Sequence, residues 1–108
     1  MKVIYHKRVW EEILSLQKQD QSIVLKVVDL LEDYGFRLST EYLKKIGREI
    51  WELRAKEYRL LFGVIGQFGI AVNLFKKKTQ KTPIKEIRLA VSRFKQYEKN
   101  KNQQSDMD

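Results

Sequence analysis

Three runs of strand-like alternation crowd between Arg48 and Pro83, and they constrain the fold more than any other part of the chain. From Glu49 to Arg54, Trp51 and Leu53 point one way and Glu52 and Arg54 the other, as side chains on a half-buried strand must. Tyr58 to Ile65 is a second run, rich in aromatic and β-branched residues. Its Arg59 shares a face with Leu61 and Gly63, against Tyr58, Leu60, Phe62 and Val64. Gly66-Gln67-Phe68-Gly69 reads as a turn, since glycine supplies the positive φ of tight hairpins. Ile70 to Lys77 is the third run, with Ile70, Val72, Leu74 and Lys76 on one side and Ala71, Asn73, Phe75 and Lys77 on the other. The runs predict an antiparallel meander whose non-core face carries Arg and Lys from several strands.

The flanking segments predict the cover of that sheet. Lys2 to His6 reads as a short first strand. Lys7 to Gln19 places Val9, Trp10, Ile13, Leu14 and Leu16 mostly on one helical face. Gln19-Asp20-Gln21-Ser22 reads as a polar break, with Asp20 or Ser22 capping the next helix. Ile23, Val24, Val27, Leu30, Leu31 and Tyr34 form an apolar stripe, and Gly35 stands where a left-handed residue ends a helix. Phe36 to Gly47 is a connector anchored by Leu38, Tyr42, Leu43 and Ile46, with Lys44, Lys45 and Arg48 along a basic edge. Thr82-Pro83 reads as an N-cap and first helical position. In the helix it starts, Ile84, Ile87, Ala90, Val91, Phe94 and Tyr97 supply one apolar face. The expected organisation is a single α/β (α+β) domain over 1–97, with a polar, frayed tail over 98–108.

Charge narrows the function classes. The formal net charge is +8, and residues 76–101 account for all of it, with ten Lys or Arg against two acids. A focused positive block favours a polyanion, most simply nucleic acid, although a solvated basic helix has the same composition. With no cysteine and one histidine, a thiolate or multi-histidine metal site cannot be built, and no cofactor is expected. His6 reads as structural. No apolar run approaches the ~20 residues of a membrane span. The N-terminus turns polar too early for a signal peptide, so a cytoplasmic location is expected.

The strings IWELRAKEYRLLF, NLFKKKTQKTP and EIRLAVSRFKQY resemble the Gp49/HigB-like branch of the RelE/ParE toxin superfamily. The likeness covers about residues 46 to 97, and its most specific part is FKKKTQKTP. It implies a RelE-like fold, with an N-terminal strand and helical hairpin on a small antiparallel sheet and a C-terminal helix. It also implies the toxin of a type II toxin–antitoxin system: a metal-independent, ribosome-dependent mRNA endonuclease (mRNA interferase). The implied partners are the ribosome, mRNA and a DNA-binding, HigA-like antitoxin that forms a hetero-oligomer with the toxin.

On this likeness the catalytic residues are Arg54, Arg59 and Lys77. Lys45, Asn73, Lys76, Lys78, Lys81 and Arg88 are the expected RNA-binding residues. Arginine clamps phosphate through its planar fork but stays protonated, so Arg54 and Arg59 suit transition-state stabilisation. Lys77 suits proton transfer if it is desolvated near other cations. Glu52 is either a base or the salt-bridge partner of a neighbouring cation. Many relatives have a histidine two residues before the motif Phe; here the position is Asn73, which cannot shuttle a proton. Phe75 and Tyr97 offer rings for base stacking, though both lie on faces that read as core. Two alternatives stay open: a ParE-like poison of DNA gyrase, and a non-catalytic nucleic-acid-binding module.

Overall fold

The computed structural model describes the backbone of residues 1–107 and the side chains of residues 1–100. Five strands form one sheet in the order β1-β5-β4-β3-β2, from β1 (Lys2–Tyr5), β2 (Leu43–Lys45), β3 (Trp51–Ala55), β4 (Tyr58–Ile65) and β5 (Phe68–Lys76). Strands β2 to β5 are the antiparallel meander, and β1 joins its edge parallel to β5. Helices α1 (Lys7–Ser15) and α2 (Lys18–Tyr34) cover one face, and α3 (Ile84–Met107) covers the other. The backbone of α3 continues through residues 98–107, while most of the expected frayed tail, residues 101–108, lies outside the described side chains.

The two faces bury separate cores. Val9, Ile13, Val24, Val28 and Leu31 from the helical hairpin meet Leu53, Leu60, Phe62, Ala71 and Leu74 of the sheet. On the other side Ala90 and Phe94 of α3 meet Ile50, Leu61, Ile70 and Val72. This corrects the expectation of one core face opposite a cationic one. Leu61, Ile70 and Val72 are too apolar to face water, and α3 covers them.

Three local expectations are corrected. Strict alternation along β5 fails, because its register with β4 shifts between Leu61 and Phe62. Leu61 pairs with Asn73 and Phe62 with Ala71, leaving Val72 as the extra residue of a bulge. Ile70 therefore packs under α3 while Leu74 packs under the hairpin. The orphan Val72 carbonyl accepts a hydrogen bond from Arg93 Nη1 at 2.8 Å. The break between α1 and α2 falls at Leu16-Gln17, both extended, and not at Gln19–Ser22. The polar side chains of that segment tie α2 to its neighbours: Gln21 Nε2 donates to Ile13 O of α1, and Asp20 accepts from the Tyr58 hydroxyl of β4. The connector contains strand β2, which its short length and basic sequence conceal. Gly35 and Gly66 do take the positive φ expected of them, at 57° and 60°.

Candidate functional site

The pairing of β3 with β4 sets Arg54 directly opposite Arg59, and β4 with β5 sets Arg59 opposite Phe75. Like charges facing each other across a sheet repel. Glu52, two residues along the same strand face, resolves the conflict. Its Oε1 accepts from Arg54 Nε at 3.1 Å and lies 3.2 Å from Arg59 Nε. Its Oε2 accepts from the Thr82 hydroxyl. Glu52 is 2% exposed, so this carboxylate is a buried hub shared by Arg54, Arg59 and Thr82.

The two arginines differ in what they have left to offer. Arg59 is 9% exposed, and its Nη1 donates to the carbonyls of Lys56 (2.6 Å) and Tyr58 (2.9 Å). Lys56 carries a φ of 54° in the tight β3–β4 turn, so Arg59 braces a strained connection. Burial pulls the Arg59 guanidinium below its ordinary pKa; Glu52 opposes that, and Arg54 adds to it. Arg54 is one-third exposed, and among the described residues its Nη groups carry no hydrogen bond. Arg54 is therefore the more open of the two guanidiniums, and Arg59 the more buried.

Residues 77–83 cross this end of the sheet as a loop. Lys77 N donates to Glu57 O at 2.6 Å, the Thr79 hydroxyl to Lys81 O, and Thr82 reaches down to Glu52. The loop leaves a narrow groove over Arg59 and Phe75 and, beside it, a cleft of about 350 Å³. Lys44, Lys45, Arg54 and Lys81 line the cleft as cations and Glu52 as its acid, with Gln80 and Thr82 as polar groups and Ile46 and Ile87 as its apolar part. Lys45 Nζ also sits 5.6 Å from the Trp51 ring centroid, a cation–π contact that holds it at the rim.

The structure sorts the expected site residues. Arg54, Lys45 and Lys81 meet in the cleft, while Arg59, Lys77, Lys78 and Lys81 line the adjoining groove. Lys77 is exposed, which removes the desolvation on which its proton-transfer role rested. Lys76 pairs with Glu57 at 3.4 Å, and Arg88 is exposed on α3. Asn73 is corrected: it is 3% exposed, and its Nδ2 donates to both the carbonyl and the carboxylate of Glu86. It ties β5 to the first turn of α3 and presents nothing to a ligand. Phe75 and Tyr97 pack against the second core. His6 caps α1, its Nδ1 accepting from Arg8 N.

Sequence reasoning missed Thr82 as a site residue, because its place before Pro83 reads as a helix cap. Helix capping falls instead to the Pro83 carbonyl, which accepts from Glu86 N and Ile87 N. Ile46 and Ile87 were read only as anchors of buried faces. Among the described residues no group of three or more His, Cys, Asp or Glu is placed to hold a metal ion, and no helix is long and apolar enough to cross a membrane.

Comparison with known proteins adds a family and a fold. Residues 11–95 match the model of the phage-derived protein Gp49-like family. No curated protein matches the chain. Among solved structures, a chain of the archaeal RelE-RelB complex from Pyrococcus horikoshii OT3 superposes with a TM-score of 0.58 at 20% identity, covering 74% of this chain and 97% of that one.

Proposed function

The chain belongs to the Gp49-like family of phage-derived proteins, and on that premise we propose that it is the toxin of a type II toxin–antitoxin system, an endoribonuclease that cuts mRNA on the ribosome and so inhibits translation. The toxin domain spans residues 1–97, and a cognate DNA-binding antitoxin holds it silent. The RelE-like fold and the RelE-RelB neighbour support both halves of this reading. The observation that carries it is the presentation of Arg54. Glu52 fixes its Nε, and Arg54 lines a cleft together with Lys44, Lys45 and Lys81.

In RNA cleavage the 2′-oxygen attacks the adjacent phosphorus and the 5′-oxygen leaves, with one proton removed from the nucleophile and one delivered to the leaving group. Negative charge grows on the non-bridging phosphate oxygens in the transition state. A guanidinium held on a strand by a buried carboxylate is preorganised to meet that charge. Arg59 braces the strand turn and adds positive potential beneath the groove. Glu52 is committed to Arg54, Arg59 and Thr82 and is not the base. The exposed amine of Lys77 supplies charge at the groove, and in-line geometry and proton transfer come in part from the ribosome.

The test is a primer-extension map of mRNA ends after a brief pulse of expression, repeated in vitro with and without ribosomes. Cuts within codons that require ribosomes are expected. Growth arrest without cuts would replace this reading with a gyrase-directed toxin, and neither arrest nor cuts would reduce it to a binding module.

A further inference from the structure

The outer face of α3 carries a charge pattern that the cleft does not use. Lys85, Arg88, Ser92, Lys95 and Lys99 follow one another at steps of three, four, three and four residues, and all are exposed. At ~3.6 residues per turn that spacing is a single line, about 21 Å long, down one side of the helix. Ile84 and Leu89, 66% and 40% exposed, flank the line. The acids Glu86 and Glu98 fall outside the arc of about 140° that holds these residues. None of the four cations lines the groove or the cleft, and among the described residues none forms a salt bridge. Lys85 and Arg88, and Lys95 and Lys99, are like-charge neighbours that weaken the helix on its own.

We infer that this face docks an acidic amphipathic helix of a partner protein, with Glu or Asp at the same three-four spacing against the cation line and apolar side chains over Ile84 and Leu89. Charge complementarity selects the sign of the partner, since four cations stand together without an acid between them. The straight line selects a helix, because a second helix keeps a three-four row in register along its length. An extended strand would find no free backbone groups to pair with inside α3. Two features favour protein over nucleic acid. Phosphates make no use of Ile84 or Leu89, and the arc holds no aromatic ring on which a base could stack.

The test is fluorescence anisotropy with a labelled helical peptide that carries Glu at three-four spacing flanked by Leu, against a scramble of the same composition and a blunt RNA duplex, all at one salt concentration. The patterned peptide is expected to bind roughly tenfold more tightly than its scramble. Arg88→Glu and Lys95→Glu should each weaken it by about tenfold, and Leu89→Ala by about fivefold. All three positions are exposed, so Tm should hold in each variant. Equal binding of the scramble overturns the docking face, since net charge alone then accounts for it, and so does failure of both peptides to bind. Tighter binding of the duplex with the same dependence on Arg88 and Lys95 assigns the face to RNA and overturns it too. The readout contains no cleavage step, so a failure of the toxin reading leaves the docking face standing.

Discussion

The carboxylate of Glu52 lies 3.2 Å from the guanidinium of Arg59, both almost fully buried beneath the 77–83 loop. Removing one partner of such a pair leaves the other charge uncompensated. Glu52→Gln is therefore expected to destabilise the fold by about 3 kcal/mol, a fall in Tm of roughly 10–20 °C. Thermal denaturation followed by circular dichroism measures it. A change of a degree or two would mean that water already solvates Arg59.

Arg54 and Arg59 should separate when each is replaced by alanine. Arg54→Ala removes a phosphate donor that holds no other element, so cleavage should fall by about 10²–10³ with little change in Tm. Arg59→Ala also releases the Lys56 and Tyr58 carbonyls and the Glu52 charge, so it should lose stability together with activity. Equal Tm losses in the two variants would contradict this division.

Lys77 offers a test of charge against proton transfer. It is exposed, and its backbone N–H donates to Glu57 O. If it supplies charge alone, Lys77→Arg keeps near wild-type cleavage while Lys77→Ala loses about tenfold. If Lys77→Arg is as poor as Lys77→Ala and the pH–rate profile changes shape, the amine itself moves a proton.

Gly63 faces the ring of Phe94 so closely that an added Cβ would clash with three of its ring atoms, Cε1, Cδ1 and Cζ. Gly63→Ala should cost about 1–3 kcal/mol through overpacking. Phe94→Leu in the same chain should recover part of the loss, and additive losses in the double variant would exclude a direct clash.

His6 gives the fold a pH dependence of known sign. Burial, then Arg93 and Arg8, lower its pKa from 6.5, and its Nδ1 must be unprotonated to accept from Arg8 N. The unfolded chain binds this proton more readily than the folded one. The stabilisation is complete above pH 6.5 and is lost as pH falls from there through the folded value. Tm should therefore drop more between pH 7.5 and 5 in the wild type than in His6→Asn, which caps without titrating. The same drop in both would place the dependence elsewhere.

Much of the fold is legible in the chain because local geometry dictates it. Period-two alternation locates β3 and β4, the stripe from Ile23 to Tyr34 locates most of α2, and Gly35 and Gly66 mark conformations that other residues avoid. The parallel pairing of β1 is not legible, since four residues carry no signal of direction. The bulge at Val72 is not legible either. Its cause is the packing of Leu74 and Ile70 on opposite cores, together with an Arg93 side chain that arrives from α3 to satisfy the freed carbonyl.

The site divides in the same way. Sequence alone determined that Glu52 and Arg54 share one strand face and that the positive charge gathers from Lys76 onward, because strand period and composition are local properties; the register that sets Arg59 opposite Arg54 is tertiary. Only the tertiary structure decided which arginine faces a ligand. Burial under the 77–83 loop commits Arg59 to Glu52 and to two turn carbonyls, and the first turn of α3 engages buried Asn73 through Glu86. Exposure depends on what the chain folds back over, and here it folds back with residues some twenty positions further along.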